Sequence, residues 1–480
     1  MKNRGKETLI YFIGTIMLSI LNFIISILYG NMFTTNDFGV YSLIYSSYAL
    51  ISQLLIGWVS QSIIRFYKKN NDKTLKSSIY TFHIISSFLL IILFNIIIIF
   101  AGLKGEEKIL YILFTITYFF ESFILITNTL LRSENNSKQY SKNVVLNGFL
   151  KIISLLVLYY IFGFTTVIII VISLLLSEII QTLYLTYKYK FYNYISFKSI
   201  DKTLLIEMFK YGYPLIGVSI TSWVLNVSDR FIIKLFYNNS EVGIYSYSYT
   251  IANSIIMLVI QFIMLGAYPN IINTWENSGK KETIDLIKNY LNVYLLIVVP
   301  MCFGFVALGS EFFRIVINET YYSGYITFII TAIGIALLGL SQYTNKIFEL
   351  HKKTKTILWL NIMAAVINII LNFIFIPIYG PYFGAVTTGV SFIIYIIISA
   401  LLGKKYLKLE IDIKKTSIIT ISSIIMFLVI CIYKSVIGVN SIYSFGVIVL
   451  LGIMIYFYII LKFDVINIKE LWRIFKNDKK

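Results

Sequence analysis

The chain has 480 residues, 58% of them hydrophobic and 13% charged, with a formal net charge of +18. So little charge on so long a chain excludes an ordinary soluble domain. The basic residues are dispersed along the chain rather than gathered in a patch, which excludes a nucleic-acid surface.

Hydrophobic stretches succeed one another at 9–30, 38–64, 79–101, 109–131, 143–162, 166–187, 212–236, 242–268, 289–309, 324–345, 356–377, 382–403, 416–433 and 443–461. Each is long enough for a helix to cross a hydrocarbon layer roughly 30 Å thick. The fold class expected is therefore an all-α integral membrane protein with about 14 transmembrane helices. The first stretch has no small-residue cleavage site and reads as a retained helix. No connection is long enough for an added soluble domain.

Orientation follows from the cations. Of the 41 Lys and Arg, 34 fall on alternate faces that include both termini; Lys104, Lys108, Arg314 and Lys434 fall on the opposite faces, and Lys151, Arg230 and Lys234 lie within spans. The positive-inside rule then places both termini in the cytoplasm. Anionic lipid headgroups are the natural neighbours of these cations. Cys302 and Cys431 lie in apolar spans without metal-ligand spacing and read as packing residues.

An internal repeat divides the spans. At an offset of 204, Gly39, Tyr41, Ser42 and Tyr45 fall on Gly243, Tyr245, Ser246 and Tyr249, and Leu21 and Asn22 on Leu225 and Asn226. Six spans separate the copies, an even number, so both cross in the same direction and a pseudo-twofold axis along the membrane normal relates them. The organisation expected is a six-helix lobe at 1–190, a second at 205–405, two further helices at 416–461 and a basic cytoplasmic tail at 462–480.

Polar residues inside the spans mark where a substrate would go. The seventh span carries Ser219, Trp223, Asn226, Arg230 and Lys234 on one helical face, and the repeat maps these onto Thr15, Ser19, Asn22, Ser26 and Gly30 of the first. Matched polar stripes suit a water-filled cavity, whereas small hydroxyl residues alone would also suit close helix packing. The second and eighth spans add Tyr41, Tyr45, Tyr48, Gln53, Gln61, Tyr245, Tyr249, Asn253 and Gln261. Aromatic faces stack on sugar rings, and hydroxyl and amide groups bond their oxygens. Tyr41 and Tyr245 lie near the outer ends, where interfacial aromatic belts are also expected. For Arg230 two readings stand: a cation at the outer end of the cavity, or a side chain that snorkels to the interface.

Glu121, Lys151 and Glu178 form a second, separate constellation near the cytoplasmic side of spans 4 to 6. It reads either as a structural ionic cluster or as a site where a carboxylate exchanges a proton or sodium ion. His83, one turn inside the third span, reads as interfacial. There is no G-x-x-x-x-G-K-[ST] loop, no nucleophile–base pair and no group of metal ligands, so neither an enzyme nor a resident metal or other cofactor is expected beyond such ion coupling.

The run from Phe209 to Asn253, with its Y-G-x-P-L entry at Tyr211, its W-x-L-x-x-x-D-R segment ending at Asp229 and Arg230, and its V-G-I-Y-S start to the eighth span, resembles bacterial polysaccharide flippases. The first-half F-G-V-Y-S and the stretch Leu130 to Gly163 are similar to the same family, the polysaccharide transporter branch of the multidrug/oligosaccharidyl-lipid/polysaccharide exporter superfamily. The resemblance implies alternating access of two lobes. It also implies transfer of undecaprenyl-pyrophosphate-linked oligosaccharide across a bacterial cytoplasmic membrane for O-antigen, capsule or exopolysaccharide, with polymerase and glycosyltransferases as pathway partners. The first span departs from some superfamily members in lacking a carboxylate at cavity depth. The competing expectation is a cation-coupled multidrug exporter of the same superfamily; a polymerase or ligase would need a large outer loop that the sequence lacks.

Overall fold

A computed structural model describes residues 2–67, 72–100, 102, 104–196, 200–408 and 411–463, with backbone alone for 2–6, 8, 9, 72, 214, 215 and 218. The expected basic tail beyond 463 lies outside the described residues, and so do the side chains of Pro214 and Leu215 in the Y-G-x-P-L entry. The described residues form fourteen long α-helices and no strand. They are α1 (Lys2–Met32), α2 (Thr35–Phe66), α3 (Asp72–Phe100), α4 (Gly105–Ser133), α5 (Ser137–Leu156), α6 (Ile168–Tyr189) and α7 (Lys202–Phe236). The remaining seven are α8 (Asn239–Asn277), α9 (Lys280–Ile315), α10 (Tyr325–Leu350), α11 (Thr354–Tyr379), α12 (Phe383–Gly403), α13 (Ile413–Val436) and α14 (Ile442–Lys462).

Thirteen of them are long and apolar enough to cross a membrane. The fourteenth, α7, has 35 residues, a rise of about 50 Å at 1.5 Å per residue. The chain is a multi-pass membrane protein. Its helices outrun the apolar stretches: α8 extends to Asn277, nine residues past the expected end at 268. Hydropathy marks the part of a helix that lipid surrounds, whereas the backbone continues its own hydrogen bonding into the polar flank. Starts are set by side-chain caps: Thr34 accepts from the Asp37 N–H, Asn136 from Gln139, Asp412 from Lys415 and Ser441 from Ser444.

By backbone proximity the chain divides into two compact units, residues 1–234 with 238–243, and 235–237 with 244–480. In the first, α4 packs against α2, α3, α5 and α6, and α1 lies along α5. The α1–α5 approach is tight: a Cβ on Gly14 would meet Ser141 Cβ at 2.5 Å, and one on Gly148 would meet Leu21 Cδ1 at 2.7 Å. Small residues at such crossings let helix backbones come close where no water drives association. The repeat assigns the seventh helix to the second lobe, but spatially α7 groups with the first unit. It does so because Ser62 Oγ donates to Met208 O (2.6 Å) and Gly212 rests on Trp58 O, where a Cβ would lie 2.4 Å away.

In the second unit α10 packs on α9 and α12, and α11 on α12. Tyr294 OH donates to Ala336 O (2.6 Å) over Gly339, which leaves it room. The pair α13–α14 packs on α9 through Leu296, Leu308, Met426, Ile430, Ile448 and Tyr456, and Tyr456 OH donates to Leu296 O (2.8 Å). Lys434 pairs with the buried Glu311 at 2.6 Å and pins the other end of α13 to α9. Lys346, just past the apolar stretch 324–345, is buried on α10, paired with Glu349 (2.6 Å) and set 4.1 Å from the Tyr268 ring centroid.

Candidate functional site

The polar face of α2 meets the stripe on α7 inside the first unit. Their contact runs outward from Gly212 and Ser62, and beyond that point long side chains bridge the two helices. Gln53 Nε2 donates to Ser219 Oγ at 3.2 Å. Trp223 Nε1 donates to Ser46 O at 3.0 Å, and Arg230 Nη1 donates to Ser46 Oγ at 3.1 Å. Ser46 itself donates to Ser42 O (2.6 Å), which aims its lone pairs away from its own helix and toward Arg230. The Arg230 side chain thus reaches across to α2. Its backbone N–H donates to Asp229 Oδ1 at 3.0 Å.

Ser46 is the residue that reading the sequence missed. The repeat offset carries it onto Thr250, a second hydroxyl, which was the available signal. Around it the α2 tyrosines form a ladder: Tyr41 and Tyr45 stack at 5.7 Å, Tyr45 and Tyr48 lie 6.2 Å apart, and Tyr48 stacks on Phe114 of α4 at 4.8 Å. Tyr45 is 40% exposed, so its ring presents a free face, while Tyr41 and Tyr48 are buried.

The two constellations that the sequence separates are joined here. Tyr48 OH donates to Glu121 Oε2. Glu121 and Lys151 are the charged neighbours of Glu178, and Tyr45 lies within electrostatic reach of Glu121, Glu178 and Arg230 together. The α2 segment 45–48 thus connects the Arg230 seam on one side with the carboxylates of α4 and α6 on the other. An aromatic and hydroxyl face flanked by a guanidinium can hold a polyhydroxylated, anionic headgroup by stacking, hydrogen bonding and charge at once.

Other expected residues stand apart from this seam. Asn22 is exposed on α1, and Ser26 Oγ donates to Asn22 O of its own helix at 2.9 Å; Thr15 and Ser19 likewise donate to Tyr11 O and Thr15 O. The α1 stripe is largely satisfied within its helix. On α7, Asn226 Nδ2 donates to Ser222 O (2.6 Å), and Lys234 is exposed near the helix end. Tyr249 and Gln261 belong to the second unit. Gln261 is exposed, but Tyr249 is 3% exposed and lies 6.1 Å from the Tyr245 ring, so the repeat pairs residues whose surroundings differ. Tyr41 and Tyr245 are buried rather than members of an exposed aromatic belt.

His83 is fully buried, not interfacial. Its Nδ1 lies 3.1 Å from Ser87 Oγ, and its ring stacks on Phe119 of α4 at 5.4 Å. The second unit holds a further buried polar network on α11 and α12: Asn368 Nδ2 donates to Thr388 Oγ1 (3.0 Å), Asn372 Nδ2 to Asn368 Oδ1 (3.1 Å) and Thr387 Oγ1 to Asn372 Oδ1. Its signal was the pair of asparagines four residues apart, Asn368 and Asn372, within an apolar stretch of α11. The second unit also carries a partly open apolar cavity of about 460 Å³ between α9, α13 and α14, walled by residues such as Pro300, Gly304, Phe305, Met426 and Tyr456.

This architecture is that of solved membrane transporters. The lipid II flippase MurJ in an inward closed conformation superposes with a TM-score of 0.76 over 95% of this chain and 98% of its own, at 18% identity. A multidrug resistance MATE family transporter of the MOP superfamily, inward-facing, superposes with a TM-score of 0.64 over 81% of this chain and 94% of its own, at 17% identity. The fold is accordingly the one that these two proteins share. A sequence profile described as "Polysaccharide biosynthesis protein" matches residues 28–325, and the chain belongs to that family. The probable low-salt glycan biosynthesis flippase Agl15 of Haloferax volcanii is 24% identical over 251 residues, 52% of this chain and 53% of that protein. The chain thus spans about half the length of the curated relative it matches.

Proposed function

We propose that this protein is a flippase that carries lipid-linked oligosaccharide units from the cytoplasmic to the outer leaflet for the assembly of a surface polysaccharide. The observation that carries the reading is the α2–α7 seam, where Arg230 and Trp223 converge on Ser46 beside the open face of Tyr45. A headgroup of sugars on a pyrophosphate cannot cross hydrocarbon unaided. The seam offers the groups that would replace its water: a guanidinium for phosphate oxygens, an aromatic face for a sugar ring, and Gln53 for hydroxyls. The apolar cavity along α9, α13 and α14 supplies a second requirement, room for hydrocarbon chain in the same molecule.

Family membership supports a polysaccharide pathway, and the named activity of the archaeal relative, a glycan biosynthesis flippase, supports the direction of the reading. In full, the cargo is undecaprenyl-pyrophosphate-linked oligosaccharide for O-antigen, capsule or exopolysaccharide. Both termini face the cytoplasm of a bacterial cell, two lobes alternate in access, no catalytic step occurs, and the polymerase and glycosyltransferases of the same pathway are partners. Export of cationic drugs, the competing reading, suits this seam less well. Its nearest carboxylates are engaged by Tyr48 or buried, while the group turned into the seam is a cation.

The test is deletion of the coding sequence followed by mass spectrometry of polyprenyl-linked intermediates and staining of the surface glycan. The expected result is accumulation of a complete lipid-linked repeat unit with loss of surface polymer, restored by the intact chain. Normal surface polymer with no accumulating intermediate would overturn the proposal.

A further inference from the structure

Two facing stripes on α5 and α6 form a polar seam that the substrate reading leaves unused. Along α5, Gln139, Asn143, Asn147 and Lys151 recur at every fourth residue; along α6, running the other way, come Lys188, Tyr184, Gln181 and Glu178. They meet rung by rung. Lys188 Nζ donates to Gln139 Oε1 and, at 3.2 Å, to Tyr184 OH. Gln139 Nε2 donates to Asn143 Oδ1 (3.3 Å), Gln181 Nε2 to Asn143 O (2.9 Å), and Asn147 Nδ2 to Gln181 Oε1. Asn143 Nδ2 ties the seam to Asn128 Oδ1 of α4 at 3.2 Å. The series starts at an exposed lysine on the basic face. It narrows to Asn143 and Gln181, both 0% exposed, and ends one turn deeper at Glu178, 4% exposed.

The last rung is open. Among the described residues Glu178 Oε2 has no hydrogen-bond partner although it is buried. The groups that face it are Glu121 from α4 and Lys151 from α5, with the α2 tyrosines Tyr45 and Tyr48 beyond Glu121 and Arg230 beyond Tyr45. Glu121 already holds the Tyr48 hydroxyl, and Lys151 makes no ion pair with either carboxylate among the described residues. Polar seams that act purely as glue between membrane helices close on themselves, because each unmet group in hydrocarbon is costly. This one stops one turn short of a carboxylate whose oxygen is unmet. Two carboxylates facing one lysine leave a negative charge to be neutralised, and one proton on the unmet carboxylate does so without the several oxygen ligands that a metal cation takes.

We propose that Glu178 is a proton-binding carboxyl and that the α5–α6 amide seam is its connection to the basic face, sealed here at Asn143 and Gln181. Separation of α5 from α6 at that seal would let the proton exchange. The Glu121–Tyr48–Tyr45 ladder then places the exchanged charge within reach of Arg230, so that proton and anionic cargo act on one α2 segment. The part of this proposal that concerns driving transport rests on the flippase reading; the proton site does not.

Infrared difference spectroscopy of the purified full chain in lipid, titrated with acid, tests it. The expected result is a protonated-carboxyl band that is absent in Glu178→Gln and retained in Glu121→Gln. After transfer to heavy water its exchange should be faster in Asn143→Ala and Gln181→Ala by about five- to tenfold, the factor that one hydrogen bond of the seal contributes. Gln181→Asn, which keeps the amide and shortens it, gives the same reading if the alanine variants do not fold. A band that persists in Glu178→Gln, or one that responds to sodium at constant pH, overturns the proton site; exchange unchanged in the seam variants overturns the route. Polymer export unimpaired in Glu178→Gln would overturn the driving role alone, and it is scored in the deletion strain separately from the spectrum.

Discussion

Gly39 and Gly243 lie backbone against backbone. A Cβ built on Gly39 would stand 1.9 Å from Asn239 O and 3.1 Å from Gly243 N; one built on Gly243 would stand 1.8 Å from Thr35 O and 3.0 Å from Gly39 N. These are the two glycines that the 204-residue offset superimposes. The crossing is reciprocal: each glycine leaves room for the peptide oxygen of the residue four positions before the other. The F-G-V-Y-S and V-G-I-Y-S motifs are the sequence record of that crossing. Glycine is required there by room and not by dihedral angle, since both residues are helical.

Alanine at either position should therefore be felt. The methyl group would overlap a peptide oxygen, which moves only with its helix, so Gly39→Ala and Gly243→Ala should each cost about 1–3 kcal/mol. Both substitutions force the same separation of the two helix starts, so the double variant should cost clearly less than the sum. Thermal melting of the purified protein checks this; strict additivity would show that the two sites yield independently.

Arg230 makes a second, functional prediction. Arg230→Ala should leave insertion and melting close to normal while lowering polymer export more than Lys234→Ala does, since Lys234 is exposed near the end of α7. Arg230→Lys should restore only part of the activity, because an ammonium lacks the planar fork that bonds Ser46 and phosphate oxygens together. Surface glycan in a complemented deletion strain is the readout, and full export in Arg230→Ala would remove the residue from the site.

Much of this was readable from the chain. A helix in hydrocarbon must bond its own backbone, so length and hydropathy point to the fourteen helices, thirteen of them apolar enough to cross, and helical spacing alone gathers Ser219, Trp223 and Arg230 on one face. The partners of that face were not readable. Trp223 bonds a main-chain oxygen, Ser46 O, which leaves no trace in residue type. The link from Arg230 to Glu121 runs through three helices that hydropathy treats as equivalent. Repeat symmetry also misleads where the halves diverge: it equates Tyr45, 40% exposed, with Tyr249, 3% exposed. His83 reads as interfacial by depth, yet aromatic packing between α3 and α4 encloses it.

The Tyr48–Glu121 contact lends itself to a double-mutant cycle. Tyr48→Phe removes the hydroxyl that the carboxylate accepts and should destabilise the protein by about 1–3 kcal/mol, the cost of leaving a desolvated acceptor unmet. Glu121→Gln alone should cost less, because an amide carbonyl still accepts from Tyr48. Combined with Glu121→Leu, Tyr48→Phe should cost little further, since neither partner then remains to be satisfied. Melting temperatures of the four proteins supply the coupling; zero coupling would mean that the hydroxyl and the carboxylate do not bond in the membrane.

The apolar cavity makes the last prediction, and Gly304 is the place to test it. A Cβ on Gly304 meets nothing within 4 Å, whereas one on Gly309 or Gly452 meets an isoleucine methyl at 3.0 or 2.9 Å. A large side chain thus enters at Gly304 without displacing the packing of α9 on α13 and α14, and it removes open space between them. Gly304→Phe should leave stability unchanged or raise it slightly, since added apolar contact offsets the lost void. If the cavity houses the hydrocarbon chain of the cargo, the same variant should reduce polymer export severalfold while Gly304→Ala retains it. Export at the normal level in a stably folded Gly304→Phe protein would show that the hydrocarbon chain does not enter this cavity.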